Sequence, residues 1–176
     1  DRKALQAGTS HHLGQNFAKA FDVRYLNAQG KLEYVWATSW GVSTRLVGAL
    51  IMTHSDDNGL VIPPKLAPIS VVLVPILKGE DEKALVLERA HQIIAEWQGK
   101  LSFKLDDRDN YRPGWKFNEW EKRGVPLRVE LGPKDVQSGN VVVVRRDTAE
   151  KKVLPQTNLL AELSRTLDDI QVNLYR

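Results

Sequence analysis

Cysteine is absent from the 176 residues, methionine occurs once, and the charges nearly cancel: 25 Lys and Arg face 22 Asp and Glu, for a net +3. Without cysteine there is no disulfide scaffold, no Cys-ligated zinc or iron–sulfur site and no thiol chemistry, which favours a reduced, cytoplasmic setting. A net charge of +3 is too small for bulk electrostatics to argue for nucleic acid, so any such claim must rest on local residues. No signal peptide and no uncharged apolar run of membrane-spanning length occurs, so no membrane partner is expected. The chain starts at Asp1 rather than Met, which suggests a piece of a longer protein. Phosphate-cradling glycine motifs are missing as well. His11 and His12 are adjacent and leave a strand by opposite faces, while His54 and His91 are far off in sequence, so no metal site is expected. No Ser-His-Asp triad or paired carboxylates can be named from spacing alone.

What is present is a 42% hydrophobic chain, enough for a real core in one domain or two small ones. Residues 4–12 and 22–40 read as strands, with Asn27-Ala28-Gln29-Gly30 as a turn. From Ser43 to His54 the pattern turns helical and apolar on nearly every side, which predicts burial. Pro63, Pro64 and Pro68 form a stiff connector, and a domain boundary is expected there, giving modules 1–68 and 69–176. Beyond it, residues 71–76 form a continuous apolar run of the central parallel-strand kind. A helix over 82–98 carries Val86, Ala90, Ile93, Ile94 and Trp97 on one face and stops at Gly99. A strand over 101–105, a helix opened by Pro113 and closed before Gly124, strands over 127–131 and 141–144, and a final amphipathic helix complete the pattern. The fold class is α/β in this second module and α+β overall. Trp115 and Trp120, at helical spacing, read as packing residues rather than base-stacking platforms.

Four stretches carry a family resemblance. Residues 4–17, ALQAGTSHHLGQNF, resemble the proline-pocket strand of prolyl-tRNA synthetases of the archaeal and eukaryotic type. Residues 38–45, TSWGVSTR, running into 48–54, GALIMTH, resemble motif 3 of class II synthetases in its prolyl version. Residues 107–121, DRDNYRPGWKFNEWE, and 124–135, GVPLRVELGPKD, resemble that family's anticodon-binding domain. The resemblance implies the end of an antiparallel-sheet catalytic domain followed by a mixed-sheet anticodon-binding domain. Motifs 1 and 2, which build the dimer interface and hold the α-phosphate, would lie upstream, and the family's small C-terminal domain is not expected within these residues. A fragment that is inactive alone is therefore expected, from a homodimer formed through the upstream part.

The implied chemistry is activation of L-proline by ATP with Mg²⁺, then transfer to tRNA(Pro). By resemblance Arg45 is the motif 3 arginine, the catalytic and ATP-holding cation, suited to stacking on adenine and pairing with phosphate. Gln6 and Thr9 map to the ATP side, and His11, Trp40 and Ser43 to the proline site, with no structural metal. The competing readings are a surface arginine for Arg45 and core packing for Trp40 and His11. Gln6 and Thr9 are an odd number apart, so a regular strand would separate them; a break in pairing at 7–9 is expected. Glu121, Arg128, Lys134 and Asp135 map to the anticodon readers. Proline anticodons end in two guanines, whose edge offers N–H donors to a carboxylate and O6 to a cation. Arg128 and Glu130 share the polar face of their strand, and the competing reading is a solvated charged face. Residues 104–152 hold 12 basic and 9 acidic side chains, which suits backbone steering without strong nonspecific binding. Two rivals are a synthetase-like tRNA-binding module without catalysis and another class II synthetase, threonyl or glycyl, sharing the anticodon domain.

Overall fold

The structure, a computed structural model, describes residues 4–77 and 79–175. Its chain divides into two units, residues 1–50 and 51–176.

The first unit is built from two antiparallel ribbons. Strand β1 (Thr9–Gly14) pairs with β4 (Ala37–Gly41), with Leu13 bulged out where the register shifts between His12 and Gly14. The short helix α1 (Asn16–Ala20) follows, and β2 (Arg24–Leu26) pairs with β3 (Leu32–Tyr34). The side-chain oxygen of Asn27 accepts the N–H groups of Gln29 and Lys31 at 2.9 and 2.8 Å, closing the expected turn. Helix α2 (Arg45–His54) begins after Ser43, whose Oγ accepts the Arg45 N–H at 3.3 Å.

Helix α2 corrects one expectation: none of its residues is buried. Its apolar pattern is present, with Val47 59% and Met52 74% exposed. Among the described residues no second layer covers the helix. Trp36, Trp40 and Val42 stay exposed for the same reason.

The second unit is a five-stranded mixed sheet in the order β6-β5-β7-β8-β9. Its strands are β5 (Val71–Pro75), β6 (Phe103–Leu105), β7 (Leu127–Leu131), β8 (Asn140–Arg145) and β9 (Lys151–Pro155). β5 is parallel to β6 and β7, whereas β7, β8 and β9 run antiparallel. Helices α3 (Glu80–Trp97) and α6 (Leu159–Tyr175) contribute to the larger core, where Val86, Trp97, Leu163 and Ile170 meet Val71, Leu73 and Val129. Helix α4 (Pro113–Lys122) belongs to the second core, where Trp120 and Val125 meet Val72 and Val74. Successive β5 residues therefore serve opposite faces, which is why its apolar run does not alternate. The short helix α5 (Pro133–Ser138) and strand β9 were not foreseen; β9 reads as polar because Lys151 and Lys152 blunt a sheet edge.

The segment between α2 and the prolines departs from the expected module boundary, since it bonds to the second unit. The Leu60 and Ile62 N–H groups donate to the carbonyls of Lys122 and Gly124, at 3.1 and 3.3 Å. Arg146 clasps Asp56 through both terminal nitrogens, at 2.7 and 2.6 Å. The proline signal marks stiffness, and hydrogen bonding decides which unit the segment joins.

Two stability tests follow from this tether. Gly124 has φ +73°, and a Cβ there would lie 2.7 Å from the Leu60 Cβ. Gly124→Val is expected to cost about 2–4 kcal/mol in urea denaturation, against about 1 kcal/mol for Gly139→Ala in open space. The hydrogen bonds from Arg146 chiefly hold the Asp56 carboxyl down at about 2. Its folded pKa lies below the unfolded value, so its stabilisation is complete above about pH 4 and fades as pH falls towards 2. The wild-type urea midpoint should fall more steeply than that of Asp56→Asn across this window. With the side chain 43% exposed, screening keeps the difference modest.

Candidate functional site

In the first unit, Gln6, Thr9, Ser43 and Arg45 line one open cleft of about 230 Å³. Strand pairing begins only at Thr9, and residues 4–8 form no regular element, so strand parity does not bind Gln6. Its Oε1 accepts a hydrogen bond from Arg45 Nη1 at 3.2 Å. The irregular stretch thus brings Gln6 and Thr9 to the same cleft, although the register shift itself lies at Leu13 rather than within residues 7–9. The donor set is a guanidinium, an amide and two hydroxyls with no carboxylate, suited to an anionic ligand rather than a bare metal ion. Among the described residues no group of three or more His, Asp or Glu side chains could hold a metal.

The proline-side trio is not assembled in the same way. Directly paired residues share a face of an antiparallel ribbon. Thr9 opposes Gly41 and His11 opposes Ser39, so Thr9 and His11 share one face. Trp40 opposes Ser10 on the other face and is 76% exposed, hence the residue-type match did not place it beside His11. Neither His11 nor Trp40 lines the cleft, whereas Ser43 does.

In the second unit, Arg128 is the centre of the site. It was expected on a polar strand face, yet it is buried, as is Glu130. α4 belongs to the core on that face of the sheet, and its Phe117 ring lies 4.3 Å below the guanidinium. Arg128 Nη1 donates to Glu121 Oε1 at 2.6 Å, and Nε donates to Glu130 Oε1 at 3.0 Å. A buried guanidinium without such partners would be costly. Glu121 and Arg128 line a small cleft of about 70 Å³ with Asn58, Trp120 and Arg146. Arg146 donates from Nε to the Glu121 carbonyl at 2.9 Å while holding Asp56. Phe117, Asn58 and Arg146 were missed because each joins the site through packing rather than sequence neighbourhood. The Arg145-Arg146 doublet was the visible signal, but nothing in it pointed to Asp56.

Lys134 and Asp135 open α5 beyond the end of β7 and do not line that cleft. Lys134 is exposed, while Asp135 Oδ2 accepts the Gly132 N–H at 2.7 Å and so closes a helix cap. The two expected tryptophan packers separate. Trp120 is buried and donates Nε1–H to Asp106 Oδ2 at 2.7 Å, whereas Trp115 is 46% exposed and stacks on Tyr111 at 4.0 Å. Burial alone would raise the Asp106 pKa, but hydrogen bonds from Arg108 and Trp120 and the charge of Lys116 hold it below the ordinary value. Lys116 is lowered by the same burial, with Asp106 opposing the shift. This network fastens α4, through Lys116 and Trp120, to the residue that follows β6.

Similarity to known proteins identifies the family of part of the chain. Residues 70–166 match the family model described as an anticodon binding domain. Over its full length the chain is 58% identical to a proline–tRNA ligase of Roseiflexus sp. (strain RS-1), covering 37% of that protein. It is 56% identical to proline–tRNA ligases of Chloroflexus aurantiacus (strain ATCC 29366 / DSM 635 / J-10-fl) and Cytophaga hutchinsonii, covering 37% and 36% of them. The chain thus spans little more than a third of the length of these curated relatives. Its sheet and its three helices α3, α4 and α5 fall within the matched span, more than half of the residues, and on that ground the chain belongs to the anticodon-binding domain family.

Proposed function

We propose that this chain is part of a proline–tRNA ligase, in which the second unit reads the anticodon of tRNA(Pro) and the first supplies part of the site that activates L-proline. The observation that carries this is full-length similarity to proteins of that name, at 56–58% identity, together with the Gln6–Arg45 cleft and the Glu121–Arg128 pair. A proline carboxylate oxygen attacks the ATP α-phosphorus, pyrophosphate leaves, and a ribose hydroxyl of the tRNA terminus then takes the prolyl group with release of AMP. Positioning and charge stabilisation supply most of the rate. Arg45, Gln6 and Thr9 face the nucleotide. Ser43 serves the proline side, with His11 and Trp40 as proposed members whose contacts require the rest of the enzyme. Mg²⁺ arrives with ATP and neutralises its phosphates; the carboxylate-free donor set here fits the anion. Glu121 and Arg128 meet a guanine edge, Lys134 and Asp135 a neighbouring nucleotide. The archaeal and eukaryotic type, a homodimer and a cytoplasmic site belong to the same proposal.

Proline-dependent pyrophosphate exchange by the full-length protein tests it, and activity with threonine or glycine instead of proline would select another synthetase. A folded protein silent with every amino acid would leave a tRNA-binding module. The 176 residues alone are expected to give no exchange. Arg45→Ala should lower exchange by about 10²–10³-fold while tRNA affinity stays near wild type. Arg128→Ala should leave exchange intact and lower kcat/KM for tRNA(Pro) by about 5- to 100-fold.

A further inference from the structure

One arginine in the second unit holds two carboxylates, and one would neutralise it. Glu130 and Glu121 both bond Arg128, at 3.0 and 2.6 Å, but they stand differently. The Glu121 side chain is 36% exposed and lines the cleft, whereas the Glu130 side chain is 10% exposed and does not line it. Glu130 takes Nε, the nitrogen nearest the strand, from two residues along the same face of β7. Glu121 takes Nη1 at the outer end of the guanidinium.

Resting on the anticodon reading proposed above, we infer that Glu130 is the positioning residue for Arg128, the permanent counter-charge that lets Glu121 leave the arginine and accept from a guanine. An arginine has five N–H donors, and these two bonds use two of them, so donors remain for guanine O6. When Glu121 turns to the N1–H and N2–H groups, Arg128 stays neutralised by Glu130 and fixed against Phe117. Without Glu130, releasing Glu121 would leave a buried guanidinium with no counter-charge, so the pair would stay closed. Adenine offers an amino donor where guanine offers O6, and a guanidinium held in place rejects it. Glu130 therefore sets guanine selectivity without touching the base.

The test uses the full-length protein with Glu130→Gln, an isosteric change that removes the charge, and Glu130→Asp, which keeps it. Expected for Glu130→Gln is kcat/KM for tRNA(Pro) lowered about 5- to 50-fold, mostly through KM. Discrimination between the natural transcript and one with an anticodon guanine changed to adenine should shrink, and proline-dependent pyrophosphate exchange should stay within about twofold of wild type. Glu130→Asp should recover part of both tRNA effects. Wild-type tRNA kinetics and discrimination in Glu130→Gln, with Arg128→Ala still impaired, would overturn the inference and leave the anticodon reading standing. Equal loss of exchange, thermal stability and tRNA use would show Glu130 to be structural only, which also overturns it. If Arg128→Ala itself leaves tRNA use unchanged, the anticodon reading fails and this inference falls with it.

Discussion

A charged group taken out of water must bring its counter-charge with it, and Arg128 is where this chain meets that constraint. β7 lies between β5 and β8, with Leu127, Val129 and Leu131 in the larger core and Arg128 and Glu130 on the other face. The side chains from α4 that meet that face are chosen for the arginine: a ring over its plane and a carboxylate at its outer end. The position of α4 is in turn held by Asp106, which gathers Trp120, Arg108 and the Lys116 ammonium at its own carbonyl. Two ionic clusters, one joined by Lys116 and Trp120 and the other by Phe117 and Glu121, fasten the helix to the sheet.

The same helix connects the site to the segment that precedes the sheet. Arg146 reaches the Glu121 carbonyl and Asp56 at once, so the wall of the cleft and the tether of residues 55–62 share one side chain. Gly59 and Gly124 allow the two backbones to approach so closely that side chains at either position would collide. The anticodon-type unit is thereby larger than its family match at the N-terminal side, extending to Ile51.

The first unit shows the converse case. Its polar cleft forms because a short irregular stretch carries Gln6 to Arg45, 39 positions away along the chain. Its large apolar side chains Trp36, Trp40, Val42, Leu46 and Val47 are exposed, and the two-stranded ribbons of this unit lay no second layer over them. The family resemblance assigns Trp40 and His11 to one proline site, whereas the pleat puts them on opposite faces of the β1–β4 ribbon. Parity was also the reason for expecting a break near Gly8, and the chain meets that need by delaying the strand rather than by bulging it there.

Sequence by itself determined the elements whose signal is local. The β5 run, the α3 stripe ending at Gly99, the Pro113 opening of α4 and the Asn27 turn follow from backbone preference and periodicity, and they appear within one to two residues of expectation. The family resemblance singled out Glu121, Arg128, Gln6 and Arg45, and the structure bonds Arg128 to Glu121 and Arg45 to Gln6. Only tertiary structure decided that the face bearing Arg128 is roofed, that Glu130 is its partner, that Asp135 is a cap, and that Asp56 answers Arg146 across 90 positions of chain. Alternation along a strand shows which residues share a face; what covers that face depends on a helix whose placement is settled by packing and counter-charge, and neither is written in neighbouring residues.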